Sequence, residues 1–229
     1  MNERDFTMRR GDGSIVSIQL GRIAPLGPKG VPSAFVKKTV DGPVKAERLG
    51  LVGDEQADRR AHGGPDKAIY CYPLEHYAAW IRDDRKHAAL FIPGGLGENL
   101  TLHGFSEDQT CVGDVLDIGG ARVQVTQPRQ PCFKLGLRFE DPQMLRAMIR
   151  SGRIGWYVRV LNPGEIETGS RIVIQERLNP MWSITRFNRV LNNREGTMDE
   201  ISELAELAGL SDELRESARA ALSRERDRQ

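Results

Sequence analysis

Val115-Leu116-Asp117-Ile118-Gly119-Gly120-Ala121-Arg122-Val123-Gln124-Val125-Thr126, followed by Gln127-Pro128-Arg129-Gln130-Pro131-Cys132-Phe133-Lys134, is the stretch whose reading decides the fold. Branched apolar residues alternate with polar ones on both sides of a glycine pair, the period of two expected of a half-buried strand. The glycines supply the positive φ of a tight turn, so 115–125 reads as a β-hairpin. Two prolines then interrupt the pattern. Each fixes φ and lacks an N–H, and each pushes the residue before it, Gln127 and Gln130, toward extended backbone. A strand ending at Thr126 and a stiff turn presenting Arg129 and Cys132 over the end of the sheet is the expectation. Cation and thiol so placed form a chemically useful pair, because positive charge favours thiolate, the form that attacks or binds metal. A lone cysteine also serves as a small buried hydrophobe.

Outward from that hairpin, the punctuation from about Ser14 to Gln175 is that of β structure. Ile15–Leu20 and Ala68–Tyr72 carry branched and aromatic residues and are bounded by Gly/Pro clusters. A second hairpin is expected between Trp156–Leu161 and Arg171–Gln175. Two helices interrupt the strands. One is Pro73–Ile81, with proline at its start and Leu74, Tyr77, Ala78 and Ile81 on one face; the other is Gln143–Ile149. Many short strands with few helices predict a closed or nearly closed sheet, an α+β fold that is mainly β.

After Pro180 the texture becomes helical. Trp182, Ile184, Phe187 and Leu191 recur at helical spacing. Thr197-Met198-Asp199-Glu200 is a capping box with Ile201, Leu204, Ala205 and Ala208 inward. Gly209 ends that helix and Ser211 opens another. The division expected is a β domain over residues 1–180 and a three-helix domain over 181–229. Helix, glycine turn and helix also outline a DNA-reading motif. The segment nevertheless carries eight arginines against ten carboxylates, whereas phosphate backbones demand clustered positive charge.

With 229 residues, 39% hydrophobic and 28% charged, the chain has the composition of an ordinary globular protein that buries a core without staples. A formal net charge of +1 argues against a general polyanion binder. No apolar run approaches the roughly 18 residues of a membrane helix. The N-terminus is too polar for a signal peptide. Three widely spaced cysteines, 71, 111 and 132, make neither a disulfide framework nor a zinc finger. The expectation is a cytoplasmic protein with no membrane or nucleic-acid partner.

Other stretches concentrate polar groups. Gly53–Lys67 includes Arg60 and His62, which share a face if extended, before a glycine pair able to leave N–H groups for an anion. Such loops also form plain surface turns. Ser33 and Lys37 follow Pro32 and suit a phosphate. Asn99 lies between glycines and a strand, placed to donate to a substrate or cap a turn. His76 reads as a helix surface or packing residue, and Cys71 and Cys111 as structural. A thiol for a soft metal, with arginine and lysine for phosphate, suits molybdopterin better than haem, flavin or nucleotide.

Gly50-Leu51-Val52-Gly53-Asp54-Glu55-Gln56-Ala57-Asp58, His62-Gly63-Gly64-Pro65-Asp66-Lys67-Ala68, Gly97-Glu98-Asn99-Leu100 and the Arg129-Gln130-Pro131-Cys132 turn together resemble the MOSC domain, in its bacterial YiiM type with a small helical C-terminal domain. The resemblance spans nearly the whole chain, in order. It implies a β-barrel-like fold that binds molybdenum cofactor, with Cys132 as the protein ligand to molybdenum. Ser33, Lys37, Arg60, His62 and Arg129 are the candidates for the phosphate and pterin. The resemblance further implies reduction of N-hydroxylated compounds, such as hydroxylaminopurines and amidoximes, to amines or amidines. His62 is then the candidate proton donor, because its unperturbed pKa lies near neutrality, and Asn99 the candidate orienting group. No flavin or haem motif accompanies these residues, so electrons are expected from a separate reductase. Two alternatives stand beside this reading: a carrier of Cys132 persulfide sulfur, and a non-enzymatic binding module using the helical segment.

Overall fold

The computed structural model describes residues 12–58 and 63–226. Its centre is a seven-stranded closed barrel. The strands are β1 (Asp12–Gly21), β7 (Ile69–Pro73), β8 (Leu100–His103), β9 (Val115–Ile118), β10 (Ala121–Pro128), β11 (Trp156–Asn162) and β13 (Arg171–Glu176). Around the barrel they run β13-β9-β10-β11-β7-β8-β1, and β1 pairs back onto β13, so no edge is left open. Every pairing in the ring is antiparallel except β7 with β8. Those two are joined by a long crossover holding a 3-10 turn (Arg85–Leu90) and helix α1 (Glu75–Asp83). Short strands lie outside the ring. β2 (Ala24–Leu26) pairs with β3 (Val31–Ser33), β4 (Lys37–Val40) lies on β1, and β5 (Val44–Glu47) joins β6 (Gly50–Leu51) to β12 (Gly164–Ile166).

The 115–125 hairpin forms, with Ile118 opposite Ala121 across the glycine pair. The second expected hairpin does not. β11 pairs with β10 and β7 while β13 pairs with β9 and β1, so closure of the barrel consumes both edges of each strand. The chain between them instead supplies β12. Strand β10 also outruns its expected end at Thr126. Past a register shift after Val125, Gln127 faces Tyr157 and Pro128 faces Trp156. A proline loses only its own donor, which is tolerated at a strand terminus. Pro73 likewise ends β7 and does not open α1, because it still pairs with Leu102.

Strand β7 shows how the core is divided. Ile69 and Cys71 point into the barrel, whereas Tyr70 and Tyr72 belong to a second apolar cluster outside it. That cluster holds Trp80, Leu135, Phe139, Met144 and Met148, drawn from α1, α2 (Phe133–Phe139) and α3 (Gln143–Ser151), together with Phe91 just after the 3-10 turn. β7 is therefore buried on both faces and reads as an unbroken apolar run.

Beyond residue 180 come α4 (Ile184–Phe187), which continues as a π turn through Asn192, α5 (Met198–Ala205) and α6 (Asp212–Arg226). Thr197 and Glu200 form the capping box reciprocally. Leu204 and Ala205 are buried as expected, but the helix stops at Ala205, so Leu207 turns inward and Ala208 outward. Trp182, Ile184, Phe187, Leu204, Leu210, Leu214 and Ala218 join the same hydrophobic cluster as the barrel interior. Among the described residues no helix is long and apolar enough to cross a membrane.

Candidate functional site

Where β10 ends, the chain is pinned by a bond from Arg129 N to Gly155 O at 3.1 Å. Gly155 has φ +67, and a Cβ there would stand 2.3 Å from the Cys71 carbonyl, so glycine alone lets β11 approach β7 at this corner. After Pro131 the chain turns into α2, with Cys132 in extended backbone (φ −124, ψ 170) as its N-cap residue. The helix is a feature the proline-rich sequence concealed. It leaves the Cys132 thiol half-buried at the positive end of the helix dipole.

Cys132 lines an open hollow of about 640 Å³, counted to its mouth, whose walls come from six separate stretches of chain. Of the residues singled out in the sequence, Ser33, Lys37, Asn99, Arg129 and Cys132 all meet there. Arg60 and His62 lie outside the described residues. Tyr70, Tyr157, Lys67, Lys134 and Asp54 also line the hollow. Reasoning from sequence assigned these five no role, although all of them fall inside the stretches it quoted.

Arg129 is the unusual member. It is 4% exposed, and no ion pair links it to a carboxylate among the described residues. Its guanidinium lies over Tyr70 at 4.8 Å and Phe35 at 5.7 Å, and donates to Met148 Sδ at 3.1 Å. Burial opposes its charge, whereas the Tyr70 and Tyr157 phenols and the Cys132 sulfur favour it, and the balance lies above the ordinary arginine value. Burial pushes the Tyr157 phenol up, against the pull of Arg129. A buried cation without a counter-charge is costly, so the arrangement calls for an anion from outside.

Lys37 is committed differently. Its Nζ stands 2.5 Å from Asp54 Oδ1, and the two side chains are 7% and 4% exposed. Burial lowers the Lys37 pKa, with Asp54 pulling the other way. Asp54 also accepts from Gly21 N at 2.6 Å and from Asn99 Nδ2 at 2.8 Å. The rest of the Asn99 amide goes to Gln19 O and Tyr70 N, which makes Asn99 a strut beneath the hollow. Ser33 Oγ accepts from Phe35 N at 3.1 Å, leaving its own proton available as a donor. Glu98, beside Asn99, is fully buried and takes bonds from Gly94 N, Leu96 N, Tyr77 and Thr101, a structural carboxylate.

Among the described residues no group of three or more His, Cys, Asp or Glu side chains is placed to hold a metal ion.

Compared with known proteins, the sequence matches the MOSC domain over residues 58–173. The chain belongs to the MOSC domain family. Within it, protein YiiM of Escherichia coli (strain K12) is 36% identical over 196 residues, covering 86% of this chain and 87% of YiiM. The crystal structure of YiiM from Geobacillus stearothermophilus superposes with a TM-score of 0.78 at 34% identity, covering 92% of this chain and 99% of that one. A protein of Gibberella moniliformis (strain M3125 / FGSC 7600) named Reductase is 36% identical over 198 residues, which are 85% of this chain and only 35% of that protein. The MOSC barrel seen here is thus shared with the YiiM structures, helices included.

Proposed function

We propose that this MOSC protein is a molybdenum-cofactor-dependent oxidoreductase that reduces N-hydroxylated compounds, hydroxylaminopurines and amidoximes among them, to amines or amidines. One observation carries the reading: a half-buried thiol shares its hollow with a buried arginine that has no carboxylate partner among the described residues. The donor set suits that cofactor, since thiolate suits a soft metal and a guanidinium suits phosphate or another planar anion. MOSC domains are associated with molybdenum cofactor binding, and the relative named Reductase supports a redox role.

Cys132 would hold the metal. Arg129, Ser33 and Lys37 would face the anionic and polar parts of the cofactor, the last through ammonium protons not spent on Asp54. When bound, the cofactor supplies a metal that takes an oxygen atom and exchanges two electrons. The chain's own part is to set that chemistry in place. Asn99 and Asp54 fix the floor, Phe35 and Tyr70 shield Arg129 from water, and His62 is assigned the delivery of a proton to the departing oxygen. Electron delivery is assigned to a separate reductase.

Protein made in a cofactor-producing host and analysed for molybdenum should contain close to one equivalent. Cys132→Ala should lose it together with hydroxylaminopurine reduction. Retention of wild-type turnover by Cys132→Ala would refute the reading. A Cys132 persulfide formed with a desulfurase in metal-free protein would replace it by sulfur transfer.

A further inference from the structure

Phe133, the residue directly after Cys132, is 58% exposed although it is aromatic. One turn along α2 stands Leu137, on the same outer face, while Leu135 and Phe139 are buried on the inner one. Leu145 from α3 and Pro28 from the turn between β2 and β3 complete an open apolar groove of about 1450 Å³, counted to its mouth. Its walls are held together by close contacts. Gly27 has φ +69, and a Cβ there would stand 3.1 Å from Leu137 Cδ2. Asp141 N donates to Gly136 O at 3.0 Å, which fixes the joint between α2 and α3. On the other side of the same helix end, Cys132 and Lys134 line the hollow.

The rim of the groove is cationic. Lys29 follows Pro28, Arg138 follows Leu137 and Arg146 follows Leu145, with Arg150 one turn further along α3. None of these four has an ion-pair partner among the described residues. Two carboxylates lie nearby: Glu140 on the lining, and Asp141, which Lys86 Nζ approaches at 4.0 Å. Aromatic side chains anchor protein contacts and rim charges steer them, so this composition fits an acidic partner. The cations are spread over two helices and a turn, and their complement is a surface rather than a small molecule. A second copy of this chain would bring the same cations face to face.

We propose that the groove of Phe133, Leu137 and Leu145 is the docking surface for an acidic one-electron carrier protein, the donor that the oxidoreductase reading requires. The inference rests on that reading. A carrier docked there sits against the helix end that begins at Cys132, which shortens the path of the electron to the hollow. Two dockings deliver two electrons. With two protons these convert R–NHOH to R–NH2 and water, and two carriers leave oxidised.

The test uses the full, cofactor-loaded chain and two probes, a plant-type ferredoxin with a two-iron cluster and a flavodoxin, both acidic one-electron carriers. Binding is read calorimetrically, and reduction of benzamidoxime is followed with either the reduced carrier or dithionite as electron source. At least one probe should bind, and binding should weaken as salt is raised. Arg146→Glu combined with Arg150→Glu should weaken binding and carrier-driven turnover about tenfold or more. Phe133→Ser should weaken binding about tenfold through loss of the aromatic anchor. Dithionite-driven turnover should stay at the wild-type rate in the charge-reversed variant, whose two positions are exposed and outside the hollow. Failure of both probes to bind overturns the proposal, as does binding that the charge reversal leaves unchanged. An equal loss of dithionite-driven turnover would make the groove part of the substrate site instead. A concentration-dependent dimer abolished by Phe133→Ser would assign it to a second copy. Wild-type protein that binds a carrier but reduces nothing with dithionite would refute the redox reading and leave the docking surface standing.

Discussion

Two cysteines in this protein lie near an arginine, and their surroundings assign them opposite tasks. At one end of the barrel, Cys111 is buried and its N–H donates to Asp114 Oδ2 at 3.0 Å. Asp114 in turn takes a forked bond from Arg177, at 2.9 and 2.7 Å. Charge there is closed within the protein, and burial, then Asp114, pushes the Cys111 thiol up. Around Cys132 the arginine is more deeply buried, yet no carboxylate closes the charge among the described residues. Nearness of thiol and guanidinium is therefore a poor mark of a site. The missing counter-charge is the better one.

The contrast is most directly broken at the sulfurs. Cys132→Ala should lower reduction of hydroxylaminopurine more than roughly 100-fold, beyond what losing a mere supporting contact to a metal ligand costs. Cys111→Ala should leave turnover unchanged and lower only the melting temperature. Equal activity losses at both positions would erase the distinction. At the arginines the order reverses. Arg177→Met strands the buried Asp114 carboxylate and should destabilise by about 2–3 kcal/mol in denaturant titration, discounted because Arg177 is partly exposed. Arg129→Met removes a charge that has no carboxylate partner among the described residues. It should leave cofactor-free stability within roughly 1 kcal/mol, while molybdenum content drops.

Alkylation sharpens the comparison further. In native protein Cys132 should label first. Cys71, whose thiol burial pushes far above its ordinary value, should label only on unfolding. The smallest effect belongs to the helical segment, where Thr197→Ala should cost about 1 kcal/mol through the lost cap. Its partner Glu200 is held below the ordinary carboxyl value of 4.5, chiefly by the Thr197 N–H. A depressed folded pKa means a contribution present above 4.5 and lost as pH falls through the folded value. Glu200→Gln should therefore lower the melting temperature at pH 7 and cease to matter in acid.

What was legible in the sequence was whatever local rules fix. The 115–125 hairpin, the α5 capping box and the helical texture after Pro180 follow from periodicity and turn chemistry, which act over a few residues. The Arg129–Cys132 turn was legible as a presenting element for the same reason, prolines having one φ. The false hairpin between β11 and β13 had the same local signals as the true one. Only ring closure, a competition among all seven strands for edges, decides between them.

The sequence alone thus determined the β character, the helical tail, the family resemblance and the chemistry of the groups on offer. The tertiary structure decided which of those groups share a cavity and which are already spoken for. Lys37 and Asn99 are bound to Asp54, and Lys67 answers to a carboxylate on the last helix. Arg129 is buried with no carboxylate partner among the described residues. Whether a buried charge is neutralised depends on residues from 17 to 146 positions away, brought within a few ångströms by packing. No pattern along the chain records that distance.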